Sequence, residues 1–142
     1  MYAYPVIMNL ENGHPRISCV DVPGMACVGD TPEQAMADAV IALEMALSLY
    51  VMQRMAIPLP SPCPAGQQLV RLPALSVAKV ALWNAMFRQR VSKAELARRL
   101  GVNRPQVDRL VNLLHRSKIE KVEQALRVLG WRIEVTVVRP AV

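Results

Sequence analysis

Eight side chains between positions 93 and 112 have the chemistry to recognise nucleic acid: Lys93, Arg98, Arg99, Asn103, Arg104, Gln106, Arg109 and Asn112. An arginine fork bonds the O6 and N7 of guanine together, an Asn or Gln amide does the same for adenine, and lysines and arginines hold phosphates. Such groups are useful only on the outer face of well-placed helices. The stretch "SKAELARRLGVNRPQVDRLVN", Ser92 to Asn112, carries the signals for two of them. Ser92 and Glu95 form an S-x-x-E capping box that starts the first helix. Leu96 and Leu100 line its inner face, and the small Ala97 lets a second helix cross close by. Gly101 can take the left-handed conformation that stops the first helix, and Val102 fills the corner. Asn103 caps the second helix, with Pro105 in its first turn, Gln106 three residues after the cap, and Val107 and Leu110 turned inward.

This is helix-turn-helix spacing, in which the start and outer face of the second helix enter the major groove. Arg104 and Gln106 are the expected base contacts. Arg109 reaches base or phosphate, while Lys93, Arg98 and Arg99 hold phosphates. Asn103 and Asn112 have no core duty. Asp108 would repel phosphate, so it is expected to orient Arg104 or Arg109 or to accept from a cytosine amine. A plain helical hairpin with solvated arginines has the same periodicity, but Ala97, Gly101 and both caps falling in register favour the DNA-binding reading.

Little else in the chain suggests chemistry. A two-metal nuclease gathers about four carboxylates. The first 57 residues hold six, but Glu33 and Asp38, five apart, share a helix face poorly. No Ser/His/Asp or Cys/His arrangement is evident, and "PGM" and "VGD" do not make a phosphate loop. Cys19, Cys27 and Cys63 are odd in number and lack C-x-x-C spacing, and His14 and His115 lie far apart. The expectation is a protein with no catalytic residues, no metal and no cofactor. No uninterrupted apolar run reaches the roughly 18 residues of a membrane span. The start, "MYAYPVIMNL", lacks a basic region and a cleavage signal, so a cytoplasmic protein away from membranes is expected.

The elements that must carry the eight residues follow from periodicity. "YAYPVIM", "PRISCVDV" and "ACVGD" read as three short strands separated by the turns "ENG" and "PGM". Thr31, Pro32 and Gln34 open a helix whose Met36, Val40, Leu43, Leu47 and Tyr50 share a face. Pro58, Pro60, Pro62 and Pro64 force an extended path. "LVRLP" then returns as a fourth strand. "ALSVAKVALWNAMFRQ" is a helix of about four turns that leads into the opening stretch. A further helix carries Ile119, Val122, Ala125, Leu126 and Leu129 and stops at Gly130. "WRIEVTVV", from Trp131, alternates like a strand but has no local partner, so it needs a second copy of itself or another chain. The fold class is therefore α+β: a βββαβ domain over residues 1–73, then a helical domain with a terminal strand over residues 74–142.

Charge divides the chain in the same way. Up to Ile57 there are two basic residues against six acids, a balance of −4. From Arg71 onward there are 15 against five, a balance of +10. Opposite signs suit two partners, one basic and one anionic.

Taken together, "YPVIM", "DVPGM", "GDTPEQAMADAVIALEMAL", "PLPSP" and "LVRLPALSVAKVALWNAM" before the paired helices resemble the HicB family of antitoxins over nearly the whole chain. The resemblance implies a partial RNase H-like front domain and a DNA-binding tail. It also implies a HicA-like basic toxin that cleaves mRNA as partner, repression of the protein's own operon through operator DNA, and assembly as a homodimer or homotetramer. The first strands are thin in the acidic and aromatic residues usual in that family, so toxin contacts do not transfer residue by residue. The rival reading is a stand-alone regulator whose front domain senses a small molecule.

Overall fold

The computed structural model describes residues 2–141. Strands β1 (Ala3–Glu11), β2 (His14–Ser18) and β3 (Ala26–Val28) precede helix α1 (Pro32–Met52), and β4 (Gln68–Arg71) follows it. Four helices complete the chain: α2 (Ala74–Gln89), α3 (Lys93–Leu100), α4 (Arg104–Val111) and α5 (Ile119–Val128). The expected α+β organisation is present.

The strands form one antiparallel sheet in the order β3-β2-β1-β4. Asn12 and Gly13, both at positive φ (52° and 79°), make the tight β1–β2 turn that sets Glu11 opposite His14. β1 is shared between two partners: Ile7 to Glu11 pair with β2, and Ala3 to Val6 pair with β4. This division accommodates Pro5, because its missing N–H falls where only one neighbour is paired.

α1 lies over β2, β3 and β4 and buries Ala35, Ala39, Leu43, Ala46 and Leu47. Thr31 Oγ1 accepts the Gln34 amide at 3.1 Å, and Pro32 opens the first turn. A Cβ on Gly29 would stand 2.7 Å from Ala35 N and 2.8 Å from Ala35 Cα, so only glycine lets the chain pass this close to the helix start. An 18-residue window of α1 has a mean hydropathy of 1.7, enough to cross a membrane by length and composition alone, although Asp38 and Glu44 interrupt its apolar run. Its alanine-rich face covers the sheet instead, while Ile41, Met45, Leu49 and Met52 remain exposed on the outside.

The proline-rich segment after α1 is held at several points. Tyr4 OH donates to Pro58 O at 2.7 Å, and Asp21 Oδ2 accepts both Ser61 N and Ser61 Oγ. Asn84 of α2 bonds Ile57 twice, accepting from its N–H at 2.8 Å and donating to its carbonyl at 3.0 Å. Trp83 Nε1 donates to Met55 O at 2.8 Å, and Ser76 Oγ donates to Glu44 of α1. One buried apolar cluster runs from Tyr4 and Ile17 through Leu47 and Leu82 to Leu126. α2 is its axis, packed against α4 and α5.

The strand expected from Trp131 is not formed within the single chain. The reason is the absence of a partner strand: after Trp131 N donates to Leu126 O, no backbone–backbone hydrogen bond ties the tail to the body among the described residues. Trp131 lies under Arg88, 5.5 Å from guanidinium to ring centre, and Val135, Val137 and Val138 are exposed.

Candidate nucleic-acid interface

Helices α3 and α4 are each eight residues long and joined by Gly101–Asn103. Ser92 Oγ accepts Glu95 N at 3.0 Å and starts α3. Gly101, at φ 69°, ends it in the left-handed conformation, where its amide reaches back to the last turn. Asn103 and Gln106 form a complete capping box: Asn103 Oδ1 accepts Gln106 N at 3.0 Å, and Asn103 N donates to Gln106 Oε1 at 3.1 Å. Leu96, Ala97, Val107, Leu110 and Val111 are buried, so the outer faces are fixed by packing on both sides of the turn.

The eight expected residues stand in different states. On α3, Arg98 Nε and Arg99 Nε both donate to Glu95, at 2.9 and 3.0 Å. These two arginines hold the Glu95 carboxyl at about 2, well below the ordinary carboxylate range. Lys93 Nζ stands 2.9 Å from Asp108 Oδ1 and so links the start of α3 to the middle of α4. The expectation that Asp108 orients Arg104 or Arg109 is therefore corrected, because the lysine one helix away is its partner. Asn103 and the carbonyl end of Gln106 are used by the cap. Asn112 Oδ1 accepts Leu114 N at 3.0 Å and shapes the exit from α4. Arg104 and Arg109 differ from the rest: both are exposed and neither has an ion-pair partner among the described residues. Five residues apart on one short helix, they keep their full donor sets for an incoming acceptor.

One residue that sequence reasoning missed anchors this arrangement. Lys79, in the middle of α2, is fully buried. Its ammonium donates to three carbonyls at the end of α4 and beyond: Arg109 O at 3.0 Å, Asn112 O at 2.7 Å and His115 O at 2.6 Å. Three N–H groups thus satisfy three acceptors, and the positive charge sits at the negative end of the helix dipole. Burial pushes its pKa down to about 8, so the ammonium persists at neutral pH. The available signal was a lone lysine inside the apolar run "VAKVALW" of a helix that must be covered on several sides.

The acids of the front half are dispersed in other contacts: Asp21 holds Ser61, Glu44 takes Ser76, and Glu11 pairs with Arg16 at 2.9 Å. Among the described residues, no three His, Cys, Asp or Glu side chains group as a metal site requires. Cys19, Cys27 and Cys63 are free thiols, and burial raises the pKa of the first two.

Comparison with known proteins adds a family. Residues 2–81 match the family described as the HicB-like antitoxin of bacterial toxin–antitoxin systems. A protein of Pseudomonas fluorescens named "Antitoxin HicB" is 52% identical over 141 residues, covering 96% of this chain and 94% of its own. "Antitoxin HicB 2" of Photorhabdus laumondii is 38% identical, covering 95% and 96% of the two chains. "Antitoxin HicB" of Escherichia coli is 35% identical, covering 95% and 99%.

Proposed function

The chain belongs to the HicB-like antitoxin family, and from that membership we propose that it neutralises a HicA-type mRNA-cleaving toxin and represses its own operon by binding operator DNA. The working division is toxin binding by residues 1–73 and DNA binding by residues 74–142. The observation that carries the DNA half of the reading is the state of Arg104 and Arg109: two exposed arginines on α4 with no ion-pair partner among the described residues, on a helix capped at its start and pinned at its end. Arg104, beside the N-cap, reads base edges. Gln106 adds its free amide N–H groups, since its oxygen is used in the cap. Lys93, Arg98 and Arg99 reach phosphate by leaving their solvent-accessible acidic partners Asp108 and Glu95, which costs little because such pairs are weak in water.

The toxin half rests on charge and on the outer face of α1. The front is acidic, which steers a basic partner, and Ile41, Met45 and Leu49 offer apolar area beside Asp38 and Glu44. The exposed tail from Trp131 to Val138 supplies the dimer contact, by pairing antiparallel with its copy across a two-fold axis. Two copies of α4 then meet successive major grooves about 34 Å apart, so the operator is an inverted repeat.

Two measurements on the full chain test this reading. Co-expression with a HicA-type toxin should restore growth, and a gel shift on DNA upstream of its own reading frame should exceed that on scrambled duplex. Persistent toxicity despite soluble antitoxin removes the first role, and equal affinity for both duplexes removes the second.

A further inference from the structure

A hollow of about 300 Å³ opens between the end of α4 and the start of α5. Its floor is apolar, with Val102 and Leu110, and its rim carries Arg109, Arg116, Lys118 and Lys121. Among the described residues no acid lines it, and none of the four cations has an ion-pair partner. All four side chains are exposed. This contrasts with α3, where Lys93 pairs with Asp108 and Arg98 and Arg99 share Glu95. Uncompensated positive charge therefore gathers after α4, where none of the cations lining the hollow is paired among the described residues.

The hollow is also prearranged. The segment that forms its wall, His115 to Lys118, gives the carbonyl of His115 to Lys79 from the inside, and Asn112, just before it, gives its own. Ser117 Oγ donates to Arg109 O at 3.3 Å and lies 3.1 Å from His115 Nδ1. Little loop ordering remains when an anion arrives, so the side chains keep more of their contact energy.

We propose that this hollow clamps the phosphodiester backbone of duplex DNA on the strand flanking the groove that α4 enters, with Lys118, Lys121 and Arg116 as sequence-independent contacts and Arg109 as the residue shared with α4. The proposal rests on the DNA-binding reading above and deepens it. It adds phosphate contacts beyond the paired helices to those of Lys93, Arg98 and Arg99. Phosphates border any groove that a helix occupies, and cations on a fixed wall beside that helix meet them without rearrangement.

The test compares the full-length wild type with the double variant Lys118→Ala/Lys121→Ala. Binding is measured on upstream duplex and on scrambled duplex at several salt concentrations. Affinity for both duplexes should fall by the same factor, roughly tenfold, and the slope of log affinity against log salt should shrink by about 0.9 per lysine removed. The thermal midpoint should stay unchanged, since both side chains are exposed. Unchanged affinity and slope, with the wild type still binding, would exclude the hollow and leave the DNA reading intact. A loss confined to the upstream duplex would make these lysines base readers and overturn the clamp. Absence of wild-type binding to either duplex overturns both readings together.

Discussion

Lys79 Nζ lies 2.7 Å from the carbonyl oxygen of Asn112, joining the centre of α2 to the residue that closes α4. With Arg109 and His115 it completes a three-carbonyl socket around a buried ammonium. The orientation of the candidate reading helix is therefore set from inside the core, by a residue no DNA can touch.

Lys79→Met should remove the charge, keep most of the volume and leave three part-buried carbonyls without their donor. A loss of about 3 kcal/mol is expected in urea unfolding. The pH dependence has a definite sign. The folded pKa of about 8 lies below the unfolded 10.5, so the unfolded chain holds more protons between these values. Wild-type stability should rise across that interval relative to Lys79→Met. Tyr4, whose pKa burial raises, acts in the opposite direction above pH 10 but is common to both proteins and cancels in the difference. An identical pH profile for the two would mean that Lys79 is not desolvated.

Glu95→Gln should affect acid behaviour instead. The folded pKa of about 2 is below the ordinary 4.5, so the stabilisation by Arg98 and Arg99 is complete above 4.5 and is lost as pH falls towards 2. The variant should show a flatter stability profile over that range. Freed of their acid, Arg98 and Arg99 should also tighten binding to scrambled duplex at low salt, which a titration by fluorescence anisotropy would reveal.

Gly29→Ala places a methyl group against the backbone of Ala35, which cannot yield as a side-chain end would. Destabilisation of about 1–3 kcal/mol is expected from this overpacking. Thermal unfolding measures it, and Gly24→Ala, which meets nothing within 4 Å, is the control.

Arg104→Ala should weaken operator binding by about 1–3 kcal/mol and relax preference at one base pair, leaving affinity for scrambled DNA nearly unaltered. A gel shift against a set of single-base operator variants reads both effects. An equal loss on every sequence would reassign Arg104 to phosphate.

A chain ending at Gly130 should sediment as a monomer if the tail pairs with its copy. A dimer that survives the truncation would place the interface elsewhere.

Much of the architecture was legible because it is local. The caps at Thr31, Ser92 and Asn103, the stop at Gly101 and the turn at Asn12–Gly13 are each fixed by a few neighbouring residues and formed at their expected positions, but the S-x-x-E box is only half made, because the Glu95 carboxylate turns to Arg98 and Arg99 instead of the cap. The candidate site was legible only as a set of exposed faces. Which cations were neutralised depended on partners in space: Lys93 finds Asp108 fifteen positions on, and Lys79 finds carbonyls 30 to 36 positions away. No periodicity encodes such pairings. The hollow beyond α4 escaped for the same reason, since Arg116, Lys118 and Lys121 look like ordinary solvated charge until the wall behind them is seen. The tail from Trp131 was readable as a strand pattern, but a strand exists only once something completes its ladder.

The double bond between Asn84 and Ile57, with Trp83 on Met55 beside it, bears on how the molecule melts. These contacts tie the segment leaving α1 to the middle of α2, and Ile57 and Trp83 belong to the same apolar cluster as both halves. Pulling the sheet away from the helices would strand Ile57's amide and carbonyl with no substitute partners. The chain should therefore unfold in a single calorimetric transition, with equal van 't Hoff and measured enthalpies. A cut after Pro73 would release two unstable pieces, so the two proposed activities would be gained and lost together with the fold.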